Sequence, residues 1–217
     1  MPRQLALPLE QLRAQGRENF IVAPCNEVAV RFIDRWPDWP GAAALYGAPG
    51  SGKSHLVAAW LAVSKGVAVR ASGLKRAALP SADAIAIEDV DTGGGEERDH
   101  ALLALFERRA GSLLFTGARA PTEWPVALPD LKSRFASLVA FPMWEPDDTL
   151  LSAIARKLFA DRQLEVDDAV IARMLRSLDR TPAAIARFVA RADQKALSER
   201  RKITEKLVSE LLDDTGA

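Results

Sequence analysis

Gly41–Leu56 reads GAAALYGAPGSGKSHL, and the fold follows from how that stretch is read. Ala42 to Tyr46 are small or apolar and fit a buried strand. Gly47-Ala48-Pro49-Gly50-Ser51-Gly52-Lys53-Ser54 then matches G-x-x-x-x-G-K-[ST], and an apolar helical pattern starts at Leu56. That spacing builds a phosphate cradle. Glycines let the backbone curl until its N–H groups converge on a β-phosphate, and the next helix adds partial positive charge at its N-terminus. Lys53 reaches the β/γ oxygens, and Ser54 offers its hydroxyl to Mg²⁺. A chance glycine turn is the bland alternative. The complete pattern between a strand and a helix weighs against it. The stretch implies a bound nucleoside triphosphate or diphosphate.

Composition narrows the class. A chain of 217 residues holds one α/β domain and a smaller appendage, and 48% apolar content is ordinary for a folded protein. Lys+Arg and Asp+Glu both number 29, so no global basic field exists to hold nucleic acid, although a local patch stays open. Cys25 is the single cysteine, which removes any intrachain disulfide framework and suits a reducing compartment. His55 and His100 are too few for a zinc cluster. With no apolar run of membrane-spanning length and no signal-peptide pattern, a cytoplasmic location without membrane partners is expected.

The flanking segments supply a sheet and a second domain. Val67–Ala71 reads as a second strand and Ala84–Ile87 as a third, which runs into Glu88-Asp89-Val90-Asp91. A buried strand ending in adjacent acids, some thirty-five residues after a phosphate loop, is the Walker B arrangement. One acid can hold Mg²⁺ and the other can orient the attacking water. Further strands are expected at 112–116 and about 138–141, with a helix over 98–110 between the third and fourth. Asn26 reads as the cap of a helix whose apolar face uses Val28, Ala29, Phe32, Ile33 and Trp36. Leu56, Ala59, Trp60 and Val63 read as the buried stripe of the helix after the loop. Strands separated by helices imply a parallel sheet of about five strands, covered on both faces. After Trp144-Glu145-Pro146 the alternation disappears, and helices are expected at about 147–163, 167–179, 182–197 and 204–213. The expected division is a tail over 1–19, an α/β core over 20–145 and an all-helical domain over 146–217.

This layout, a P-loop core followed by a helical lid, resembles the AAA+ proteins. Gly52-Lys53-Ser54-His55-Leu56 resembles the GK[ST]HL of the DnaA family, extending the nucleotide-binding segment to His55. Leu128-Pro129-Asp130-Leu131-Lys132-Ser133-Arg134-Phe135 is similar to that family's arginine-finger segment, and Lys157–Arg162 to its first lid helix. The resemblance implies an adenine nucleotide with Mg²⁺, held by Ser54 and by Glu88 or Asp89. Initiators usually carry a different acidic pair there, which leaves the metal assignment open. Ala118 stands where initiators place a sensor aspartate, and Ala183 where they place a sensor arginine; whether Arg187, one turn later, replaces it is left open by the sequence. Such a site is expected to hold ADP rather than ATP and to turn nucleotide over weakly, if at all.

Three features resemble the regulatory members of that family more than the initiators. Gln4-Leu5-Ala6-Leu7-Pro8-Leu9 looks like a motif for the β subunit of the replication sliding clamp, with Gln4 in a polar subsite and Leu7 and Leu9 in an apolar groove. An edge strand packed on the core is the alternative for this tail. No helix-turn-helix domain is expected after the lid. Only twelve residues, Ser72 to Asp83, join the second strand to the third, too few for the extra helix pair that initiators use on single-stranded DNA. The resemblance therefore implies a negative regulator of replication initiation. It would dock on the clamp, meet DNA only through it, and supply Arg134 in trans to ATP bound on DnaA; self-association is compatible with this reading. An autonomous AAA+ ATPase such as a helicase loader is the competing reading, and a small-molecule kinase ranks last.

Overall fold

The computed structural model describes residues 16–108 and 111–213. The chain divides into two compact units, the first running to Trp144 and the second from Glu145. In the first unit the order is α1 (Glu27–Ile33), β1 (Ala42–Tyr46), α2 (Lys53–Ser64), β2 (Val67–Arg70), β3 (Ala84–Glu88), α3 (Glu96–Glu107), β4 (Ser112–Gly117), α4 (Pro129–Ala136) and β5 (Val139–Pro142). The strands form one parallel sheet in the order β2-β3-β4-β1-β5. Chain-neighbouring strands β1 and β2 lie far apart in it, because each parallel connection crosses over through other structure.

Period-two alternation divides the strand residues between two cores. Ile85, Ile87, Leu113 and Phe115 point to the face covered by Leu102 and Leu105 of α3 and by Leu131 and Phe135 of α4. Ala43, Leu45, Ala84, Ala86 and Leu114 point to the other face, under α1 and α2. The small alanines there leave room for Trp60, which is buried and stacks on Trp39 with ring centroids 5.0 Å apart.

Two expected faces are rotated slightly. In α1 the buried stripe is Ala29, Val30 and Ile33, while Val28 is 62% exposed. In α2, Leu56, Val57, Ala59 and Trp60 are buried, and Val63 at its end is 65% exposed. Asn26 does not bond into the first turn of α1. Its buried amide instead accepts from Ala23 N at 2.9 Å and donates to Ile21 O at 3.1 Å, folding the preceding loop onto itself.

The second unit contains α5 (Asp148–Ala160), α6 (Asp168–Leu175), α7 (Pro182–Glu199) and α8 (Glu205–Asp213). Its core joins Leu151, Phe159, Met174, Ile185, Phe188 and Leu207. The starts of α5 and α7 are capped by side chains, with Asp147 accepting from Leu150 N at 2.7 Å and Thr181 from Ala184 N at 3.1 Å. Thr204 accepts from Leu207 N at 3.4 Å at the start of α8. Among the described residues, no helix is long and apolar enough to cross a membrane.

Candidate functional site

The sheet register brings the candidate site together. Tyr46 at the end of β1 pairs with Gly117 at the end of β4, and Ile87, next to last in β3, pairs with Phe115. The phosphate loop, the acids after β3 and the turn after β4 thus leave one edge of the sheet, the carboxyl edge where open α/β sheets place ligands.

Gly47, Ala48, Pro49, Gly50, Ser51 and Gly52 form the loop, and Lys53, Ser54 and His55 open α2. Two glycines are required by the backbone. A Cβ on Gly47 would lie 2.0 Å from Met143 O, and Gly52, at φ 96°, turns the chain left-handed into α2. Gly47 N donates to Gly117 O at 3.2 Å, fastening the loop to the end of β4. The Lys53 ammonium bends back over the loop, donating to Gly47 O at 2.6 Å and Ala48 O at 3.0 Å. Burial pulls the Lys53 pKa below its ordinary value, while the charges of Asp91 and then Asp89 oppose that shift.

Ser54 is exposed at the helix start. His55 points elsewhere: its ring meets Phe20 edge-on at 5.0 Å. Burial lowers its pKa, against weaker opposing effects of the Gly16 backbone and Glu18.

The acids divide by role. Glu88 ends β3, paired in register with Arg70. Asp89 takes a left-handed backbone, φ 58°, and its carboxylate lies 3.9 Å from the Arg70 guanidinium. Asp91, whose side chain is 6% exposed, turns inward. Its Oδ2 accepts from Ala118 N at 2.8 Å and Arg119 N at 3.2 Å, and Arg119 Nη2 donates to Asp91 O at 3.3 Å. Asp91 therefore holds the turn after β4, although its side chain lies outside the expected set. Its sequence signal was the fourth place in EDVD, three residues beyond the strand-ending Glu88.

Among the described residues no group of three His, Cys, Asp or Glu side chains forms a metal cluster. A Mg²⁺ that accompanies phosphates needs only one or two protein oxygens, with phosphate and water completing its shell. Ser54 and Glu88 suit that donor set, being a hydroxyl and a carboxylate with no competing ion pair among the described contacts.

Arg134 is exposed on α4. Its guanidinium carbon lies 5.7 Å from the centroid of the Phe106 ring, a cation–π contact that orients the side chain. In the second unit, Ala183 is exposed in the first turn of α7 and Arg187 is exposed one turn later. The motif residues Gln4, Leu5, Leu7, Pro8 and Leu9 lie outside the described residues.

The five-stranded order with a helical region after it is the AAA+ architecture. Domain III of the replication initiation protein DnaA from Thermotoga maritima matches over 93% of this chain and 96% of that chain, with a TM-score of 0.75 at 18% identity. AMPPCP-bound DnaA from Aquifex aeolicus matches over 84% of this chain and 66% of that chain, with a TM-score of 0.72 at 20% identity. A variant of RuvB from Thermotoga maritima matches over 94% and 73%, with a TM-score of 0.75 at 16% identity. No protein-family model and no curated protein sequence matches the chain. The structural likenesses show the fold, a DnaA-like AAA+ fold.

Proposed function

We propose that this chain is an Hda-like negative regulator of replication initiation, which binds an adenine nucleotide and promotes hydrolysis of ATP held by DnaA. The observation that carries the reading is Arg134. Its LKSRF segment lies on α4 of a DnaA-like AAA+ fold, and its guanidinium is exposed yet steadied over Phe106. An arginine presented in this way can stabilise charge developing on a partner's γ-phosphate, a contribution of about 10³-fold or more in other NTPases.

The nucleotide bound by this chain would rest in Gly47–Ser54, with Lys53 exchanging its loop carbonyls for phosphate oxygens. Ser54 and Glu88 would hold Mg²⁺, which screens phosphate charge when bound, and Asp89 would orient water. Alanine at positions 118 and 183 favours ADP as an assembly cofactor over rapid turnover. The Ser72–Asp83 connection contains part of one single-turn segment, Ala71–Gly73, and all of another, Arg76–Ala78, and no helix pair, which suits contact with DNA through the clamp. The QLALPL motif is the proposed clamp ligand.

The test mixes the protein with DnaA-ATP and clamp loaded on DNA and follows hydrolysis. Stimulation that disappears in Arg134→Ala, and that weakens when residues 1–9 are removed, is expected. Absence of stimulation, or stimulation indifferent to Arg134→Ala, overturns the mechanism. The second reading, an autonomous ATPase such as a helicase loader, draws on the GKSHL motif. It requires turnover by the isolated protein that rises with single-stranded DNA and is lost in Lys53→Ala.

A further inference from the structure

Arg98 and Asp99 open α3 with an ion pair that the site chemistry above does not use. Their side chains are 5% and 0% exposed, with Nη2 and Oδ1 2.8 Å apart. An adjacent Arg-Asp at a helix start ordinarily sits in water, and a cation there opposes the helix dipole. Burying both charges carries a desolvation cost that apolar residues of similar size would avoid.

Nearly all their other bonds go to the main chain of two loops. Arg98 Nη1 donates to Val90 O at 3.2 Å and Gly93 O at 2.9 Å, both in the turn that follows the β3 acids. Arg98 Nη2 also donates to Pro125 O, and Asp99 Oδ2 accepts from Ala127 N at 2.7 Å. Ala127 immediately precedes Leu128, the N-cap of α4. Between Val90 and Gly93 the first loop carries Asp91, which bonds the turn after β4 and whose charge acts on Lys53.

We infer that the buried Arg98–Asp99 pair is a strut joining the acidic turn after β3 to the segment entering α4, so that nucleotide at the phosphate loop governs how Arg134 is presented. The inference rests on the role of Arg134 proposed above. Arg98 and Asp99 are positioning residues in it and touch no nucleotide. Rearrangement of Lys53 and the acids on binding phosphate shifts the 90–95 turn. The strut passes that displacement to 125–127 and so to α4. Without the strut, no described hydrogen bond joins the two loops directly; what is left is the longer route from Asp91 through Arg119 to Trp124 Nε1.

Hydrogen exchange of the full chain, with and without saturating ADP and Mg²⁺, tests this. In the wild type, nucleotide should slow exchange at 47–56 and also, by about fivefold or more, at 125–136. In Asp99→Asn, and in Arg98→Lys, which keeps the charge but cannot reach all four acceptors, the first effect should remain and the second should fall by at least half. Slowing at 47–56 alone in the wild type overturns the inference, as does an undiminished response of 125–136 in the variants. Absence of any effect at 47–56 overturns the nucleotide-site reading itself, a separate failure. Should Asp99→Asn fail to fold, Arg98→Lys and the wild-type comparison still decide.

Discussion

Replacing Asp91 by alanine removes one carboxylate oxygen that accepts two main-chain bonds, from Ala118 N at 2.8 Å and Arg119 N at 3.2 Å. A hydrogen bond to a charged group contributes about 1.5–3 kcal/mol. Ala118 and Arg119 are exposed, so water can reach part of what the carboxylate leaves. The expected loss for Asp91→Ala is therefore about 3–4 kcal/mol, in the lower part of the two-bond sum. Asp91→Asn keeps an acceptor of the same shape without the charge and should lose about 1 kcal/mol. Urea unfolding followed by tryptophan fluorescence is the assay. All five tryptophans, at 36, 39, 60, 124 and 144, lie in the first unit, so the signal reports that unit alone. The midpoint should fall in the order wild type, Asn, Ala, with an unchanged m-value. If Asp91→Ala stays within about 0.5 kcal/mol of the wild type, Asp91 is not what holds the turn after β4.

Three further outcomes are expected. Lys53 needs its proton to attract phosphate and its pKa lies below the ordinary 10.5, chiefly through burial, so nucleotide affinity measured by fluorescence titration should weaken before pH 10.5 is reached. His55 has a pKa lowered from 6.5 by burial; the unfolded chain then binds the proton more readily, and stability is lost as pH falls below 6.5. Urea midpoints on either side of that pH should show a smaller acid loss in His55→Leu. Phe135 is buried against Trp124 and Phe115, with centroids 4.8 and 5.7 Å away, so Phe135→Ala should cost about 3–5 kcal/mol and Phe135→Leu less than about 1.5, read by the same unfolding.

Much of the fold was legible because its signals are local. The run Ala42–Ser54 carries strand, loop and helix start within one short stretch, and each later strand is a brief apolar run between polar turns. The change after Trp144 from alternation to helical spacing was equally plain. Helix faces were less legible in α1 and α2, where the choice between Val28 and Val30, or between Val57 and Val63, depends on what packs opposite. Arg98 and Asp99 were invisible for the same reason: adjacent opposite charges at a helix start look solvated until two distant loops close over them.

The sequence by itself determined that a phosphate loop follows a strand, that acids end another strand, and that an arginine sits in an LKSRF segment. Backbone sterics and residue chemistry at fixed spacing are sufficient for that. Only the tertiary structure decided that β4 lies between β3 and β1, bringing the turn after β4 to the acids and the loop. It also decided that Asp91, beside the more obvious Glu88 and Asp89, turns inward, and that a buried ion pair ties that turn to the segment entering the helix that carries Arg134. These are non-local pairings. A carboxylate becomes a brace or an exposed acid according to which main-chain N–H groups the fold brings within 3 Å of it, and no window of sequence contains them both.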